Sequence, residues 1–151
     1  MALTTFGAIM GFAAEISGKA EEIYRVLTQK ANDAALREVL RGLSEEEGKN
    51  HDLMLKARRE NVTEMILEPV TGLHQEDYEI DPKAADAADD TGLLRAAMML
   101  EERGKRFFKD ASSKVPLPEV SRIFRKAAQK KEANLAKLQG LGLSQTLGSS
   151  G

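Results

Sequence analysis

Six polar side chains sit where a helical sequence would otherwise place apolar ones. Ser17, Glu47, Asn50, Glu101, Lys131 and Asn134 each fall on a stripe of residues spaced three and four apart, and the rest of every stripe is Leu, Ala, Val, Met, Phe, Tyr or Gly. Carboxylates at one level of a helical core can hold a divalent cation between them, or they can neutralise a buried ammonium. Burying an isolated charge costs several kcal/mol even after relaxation, so these groups are expected to lie together and paired. In the ionic reading Glu47, Lys131 and Glu101 form a buried cluster, with Ser17, Asn50 and Asn134 filling the remaining hydrogen-bonding needs. In the metal reading the register shifts by one step. Glu47 and His51, at i and i+4, then share a helix face, and Glu101 or Glu102 adds a further ligand. Set against this, His51 one step off the stripe reads as a partly exposed surface histidine. Tyr24 reads as core packing rather than a redox tyrosine, and His74 as solvent-facing.

Four long helices must position these groups. Helix 1, about 4–31, carries Met10, Ala13, Ser17, Ala20, Tyr24 and Leu27 on one stripe. Asn32-Asp33 offers an N-cap for helix 2, about 33–60, with Leu36, Leu40, Leu43, Glu47, Asn50, Met54 and Ala57 in phase. Helix 3, about 90–114, shows Leu94, Ala97, Glu101, Gly104, Phe108 and Ala111. Pro116 and Pro118 break the chain, and Pro118 suits the first turn of helix 4, about 118–139, with Val120, Phe124, Ala127, Lys131, Asn134 and Leu138.

The two halves repeat. Tyr24 matches Phe108, Leu40 matches Phe124, Arg41 matches Arg125 and Asn50 matches Asn134, every pair separated by the same 84 residues. In that register Ser17 is equivalent to Glu101 and Glu47 to Lys131. A helical hairpin used twice predicts an all-α four-helix bundle, two antiparallel hairpins joined by a long crossover at 61–89. Pro69, Gly72 and Pro82 argue against a continuous helix there. Val62 to Leu67 is expected to form a helical turn whose Met65, Ile66 and Leu67 cap the bundle or meet a partner. The expected domain is 1–139, followed by a Gly/Ser/Leu-rich mobile tail at 140–151 with no assigned function.

Charge excludes some partners. A net charge of −2 gives no electrostatic case for nucleic acid or an anionic membrane. Residues 6–16 are apolar, but Glu15 interrupts them and no basic segment precedes them, so they read as helix 1 rather than a leader or membrane span. The chain has no Cys, which removes thiolate ligation and thiol chemistry. No Gly-rich phosphate loop or nucleophile elbow is present. The expected setting is cytoplasmic.

Over roughly residues 6–139 the pattern resembles the rubrerythrin branch of the ferritin-like superfamily. The run Leu100-Glu-Glu-Arg-Gly-Lys-Arg-Phe-Phe108 is similar to that family's third helix, with Glu101 at the ligand position. Leu40-Arg-Gly-Leu-Ser-Glu-Glu-Glu47 is similar to its second, with Glu47 at the carboxylate position. The resemblance implies a dimetal site of four carboxylates and two histidines, with iron and peroxide or O₂ chemistry. This chain departs from that set: it has Ser17, Glu47, Asn50, Glu101, Lys131 and Asn134 at the six positions. Two carboxylates remain, amides replace both imidazoles, and a protonated lysine repels a divalent metal. The rubredoxin-like iron centre is absent for want of Cys.

The leading expectation is therefore a ferritin-like protein that has lost its diiron site, with no cofactor, acting as a non-catalytic structural or interaction module. The alternative is an iron- or other divalent-metal-dependent oxidoreductase or peroxidase with a reduced or shifted site, drawing electrons from an external donor. Apolar residues flanking the stripes (Ile9, Met10, Phe12, Val26, Leu93, Met98 and Met99) suit packing against a second copy, which predicts a homodimer.

Overall fold

Side-chain caps set where each helix begins. In the computed structural model, which describes residues 1–61 and 69–150 (side chains of 143–150 excepted), α1 spans Phe6–Lys30 and the Thr5 hydroxyl accepts from the Ala8 amide at 3.0 Å. Asp33 caps α2, Ala34–Glu60, by accepting from Leu36 at 2.8 Å. Asp89 does the same for α3, Asp90–Lys114, through Gly92 at 2.8 Å. Pro118, whose missing N–H costs nothing at a first turn, opens α4, Pro118–Ser150. Two short 3-10 helices, Gln75–Asp77 and Pro82–Asp86, punctuate the connection. All regular structure among the described residues is helical, apart from an isolated bridge between Ala2 and His74. None of these helices is long and apolar enough to cross a membrane.

Cross-helix contacts fix the directions. Arg37 at the start of α2 donates to the Ala31 carbonyl at the end of α1 (2.7 Å), Ser44 to Glu21 (3.2 Å), and Arg58 near the end of α2 lies against Gly11. Hence α1 and α2 are antiparallel neighbours. Ser121 donates to Ser112 (2.6 Å) and Asn134 to Glu101 (3.2 Å), so α3 and α4 are too. Asp90, opening α3, accepts from the amides of Asn32 and Asp33, both at 2.9 Å, just beyond the end of α1. The chain must therefore return the full length of the helices between α2 and α3. It does so along the α1–α3 seam. Leu3 donates to Leu73 (2.8 Å) beside the start of α1, Tyr78 stacks edge-on against Phe107 (5.2 Å), and Lys30 reaches the Ala85 carbonyl at the far end.

The core is split in two. One apolar cluster gathers Phe6, Met10 and Ala13 with Met54, Phe107, Phe108, Val120 and Phe124. The other gathers Tyr24, Leu27, Leu36 and Leu40 with Leu93, Ala97, Leu100 and Leu138. On every helix the expected polar position falls between the two. Ile80 from the connection packs against both clusters.

The structure corrects several expectations. The tail does not leave the helix at 139: α4 continues to Ser150, with Leu141 packed on the second cluster and Gly142 close to Leu94. Ile9, Met10, Phe12 and Leu93 are not a face for a second copy, since the chain's own core and connection bury them. The helical turn expected at 62–67, with Met65, Ile66 and Leu67, lies outside the described residues.

Candidate functional site

Between the two apolar clusters lies a polar layer. Ser17 (1 % exposed), Glu47 (2 %), Glu101 (1 %), Lys131 (2 %) and Asn134 (8 %) are buried there, one or more from each helix. Lys131 donates to Glu47 Oε1, joining two positions 84 residues apart, and its Nζ stands 3.8 Å from Glu101 Oε2. The Asn134 amide donates to Glu101 Oε2 (3.2 Å) and to Glu46 Oε1 (3.0 Å). Room for the lysine stem comes from Gly104: a Cβ there would meet Lys131 Cδ and Cε at 2.7 Å.

Two members were not anticipated. The Tyr24 hydroxyl donates to Glu101 Oε1 (2.8 Å), with the Ala97 carbonyl at 3.2 Å, so Tyr24 belongs to the polar layer as well as to the apolar packing. Glu46, one step off the stripe of α2, is half-buried and accepts from Asn134. The signal for Tyr24 was its phenol: a wholly buried tyrosine oxygen needs a partner. Asn50 is the reverse case. It is half-buried and stands outside the hydrogen-bonded group, Glu46 having taken the role expected of it.

Electrostatics follow from the charge count. Two buried carboxylates face one ammonium, leaving an excess negative charge with no water to disperse it. Burial pushes the Glu47 carboxyl up to about 7; Lys131 opposes the rise and Glu101 adds to it. For Lys131, burial works against the ammonium, but Glu47 and Glu101 outweigh it and hold the group above its ordinary value. Burial also raises the Tyr24 phenol well above its usual range, with Glu101 and Glu47 adding to the effect. A proton on Glu47 is the natural neutraliser of the excess charge, since Lys131 can balance only one carboxylate.

The shifted metal set is not brought together. His51 Nδ1 donates to the Ala14 carbonyl at 2.7 Å, which turns the ring into the α1–α2 contact beside Gly18, and Glu102 is exposed. Among the described residues no three of His, Cys, Asp and Glu converge as a metal requires. His74 is exposed at the isolated bridge with Ala2. Nor do the donors at the polar layer suit a dimetal centre. An ammonium stands among the carboxylates, and the amide of Asn134 spends its N–H groups on them.

Comparison with known proteins adds a fold neighbour. No protein-family model matches the chain, and no curated protein matches it. A solved structure described as a hypothetical protein from Pyrococcus furiosus is similar, with a TM-score of 0.65 and 26% sequence identity, covering 87% of this chain and 84% of that one.

Proposed function

We propose that this chain is a ferritin-like four-helix bundle of the rubrerythrin type in which a lysine has taken the place of the metal, and that it acts as a non-catalytic structural or interaction module. One observation carries the reading. Lys131 stands between Glu47 and Glu101 in the middle of the core, where bridging cations would otherwise offset the two carboxylates. The directions of the helices and the return connection along the α1–α3 seam support the bundle with one crossover. An iron-dependent oxidoreductase or peroxidase needs open coordination positions and a ligand set, and fold alone supplies neither.

Elemental analysis of untagged protein, with Fe(II) titration, tests this directly. The expected result is no stoichiometric metal and no accelerated Fe(II) oxidation. Two irons per chain, or an oxidation rate abolished by Glu101→Ala, would overturn the reading. As an interaction module the chain is expected to associate with a second copy of itself. Val26 (38 %) and Leu53 (40 %) are, besides Met1, the large apolar side chains left exposed among the described residues. Light scattering on the purified protein reads that outcome.

A further inference from the structure

Ser17 Oγ is the one buried side-chain polar atom among the described residues that has no hydrogen-bond partner. Such orphans are rare, and buried hydroxyls are normally satisfied by protein or by an ordered water. Ser17 lines a small cavity together with Glu47, Lys131, Gly104 and Ile80. The space amounts to about 10 Å³, at the lower end of the roughly 10–15 Å³ that one water molecule requires. Its polar lining matches as well: a hydroxyl, an ammonium and a carboxylate give a water three partners, within the usual two to four.

The cavity has a particular wall. Of its lining residues, Ile80 alone comes from outside the four helices, and it alone is not buried. On its other side Ile80 borders a surface groove of about 260 Å³ with Lys19, Glu22, Ile23 and Pro82.

We propose that the cavity is a binding site for a single water molecule, which accepts from Lys131 and bonds to Ser17 and Glu47, and that Ile80 is the door through which it exchanges. The water completes the hydrogen bonding of the polar layer and gives it a short path to solvent along the connection. This goes beyond the functional reading above, and the two fail separately.

The test is a crystal structure of the full chain at a resolution that shows ordered water, paired with oxygen-17 relaxation dispersion on the same protein. One density peak within hydrogen-bonding distance of Ser17 Oγ and Lys131 Nζ is expected, with one long-lived internal water in solution. Ser17→Val, which fills the space and removes the hydroxyl, should lose both. Should that variant fail to fold, Ser17→Ala serves, with a shortened residence time expected. Ile80→Ala should speed exchange by at least about tenfold. A dry cavity overturns the site and leaves the metal-free reading standing, whereas a metal peak there overturns both. Unchanged exchange in Ile80→Ala overturns the door.

Discussion

Replacing Lys131 with methionine removes the charge while keeping most of the side-chain volume. The structure predicts a large loss. Glu47 loses its donor, Glu101 loses the ammonium 3.8 Å away, and both carboxylates remain buried. Breaking a buried ion pair by deleting one partner costs ~3–5 kcal/mol, because the other charge is left uncompensated. For a chain of this size that corresponds to a fall in Tm of roughly 6–20 °C. The loss must also depend on pH. Without the lysine, the carboxylate pair binds an additional proton in the folded state, so acid relieves the variant more than the wild type. Urea denaturation followed by circular dichroism at pH 8 and pH 5 reads both effects. The destabilisation should be larger at pH 8 by at least ~1 kcal/mol, since one extra proton bound is linked to about 1.4 kcal/mol per pH unit. Replacing Glu47 by methionine in the same chain should recover at least about half of the loss, because apolar replacement of a buried pair is often neutral or stabilising. A K131M protein within about 1 kcal/mol of wild type at pH 8, or a loss that does not vary with pH, refutes the idea that this ammonium stabilises the buried carboxylate pair.

The other expected outcomes concern single contacts. Glu47, raised from 4.5 to about 7, holds a proton in the folded state that the unfolded chain has released. Its contribution to stability is therefore full below about pH 4.5 and is lost as pH rises toward 7, a difference of ~3 kcal/mol. Glu47→Gln should flatten the fall in stability across that window, and an unchanged pH profile would count against it. Tyr24→Phe strips the hydroxyl that donates to Glu101 and should cost ~2 kcal/mol in chemical denaturation, a loss absent if that bond does not form in solution. Gly104→Ala drives a methyl into the lysine stem, with contacts of 2.7 Å, and should cost ~1–3 kcal/mol. In a Lys131→Ala background the same change should cost little; an equal cost in both backgrounds would place the conflict elsewhere.

Much of the helical frame is legible in the sequence because a period of three and four is a property of the chain itself. The stripe Met10, Ala13, Ser17, Ala20, Tyr24 and Leu27 is buried throughout, and the caps at Asp33 and Pro118 fall where their chemistry suits a first turn. What periodicity cannot supply is azimuth to within one residue. Adjacent positions on a helix are about 100° apart, so Glu46, Glu47 and Asn50 compete for the interior, and the packing of α4 on α2 decides the outcome. Asn134 reaches Glu46, and Asn50 stays at the margin. Tyr24 was opaque for another reason: the ring accounts for its place on the stripe, and the partner of its hydroxyl lies 77 residues away. Ile80 carries no local signal whatever, since its position over the polar layer depends on the path of the connection between distant helices. The extension of α4 was hidden by its glycines, which read as a stop while Leu138 and Leu141 kept the apolar phase.

Charge explains why a lysine can stand where it does, between Glu47 and Glu101. Two acids buried in one layer repel unless a cation intervenes. Here α4 carries the cation covalently, as Glu47 and Lys131, 84 residues apart, meet in an ion pair. The lysine is not neutral for the rest of the layer. One ammonium balances one carboxylate, so Glu101 must draw on Tyr24 and Asn134, and the excess charge falls on Glu47 as a raised proton affinity. Such a layer adds little net stability compared with apolar packing, but it constrains register. Sliding α4 by one helical turn would move Lys131 by about 5.4 Å and break its pairing with both acids, leaving the ammonium and Glu47 buried without a charged partner. On this argument the polar layer holds α4 against α2 and α3 in a single alignment.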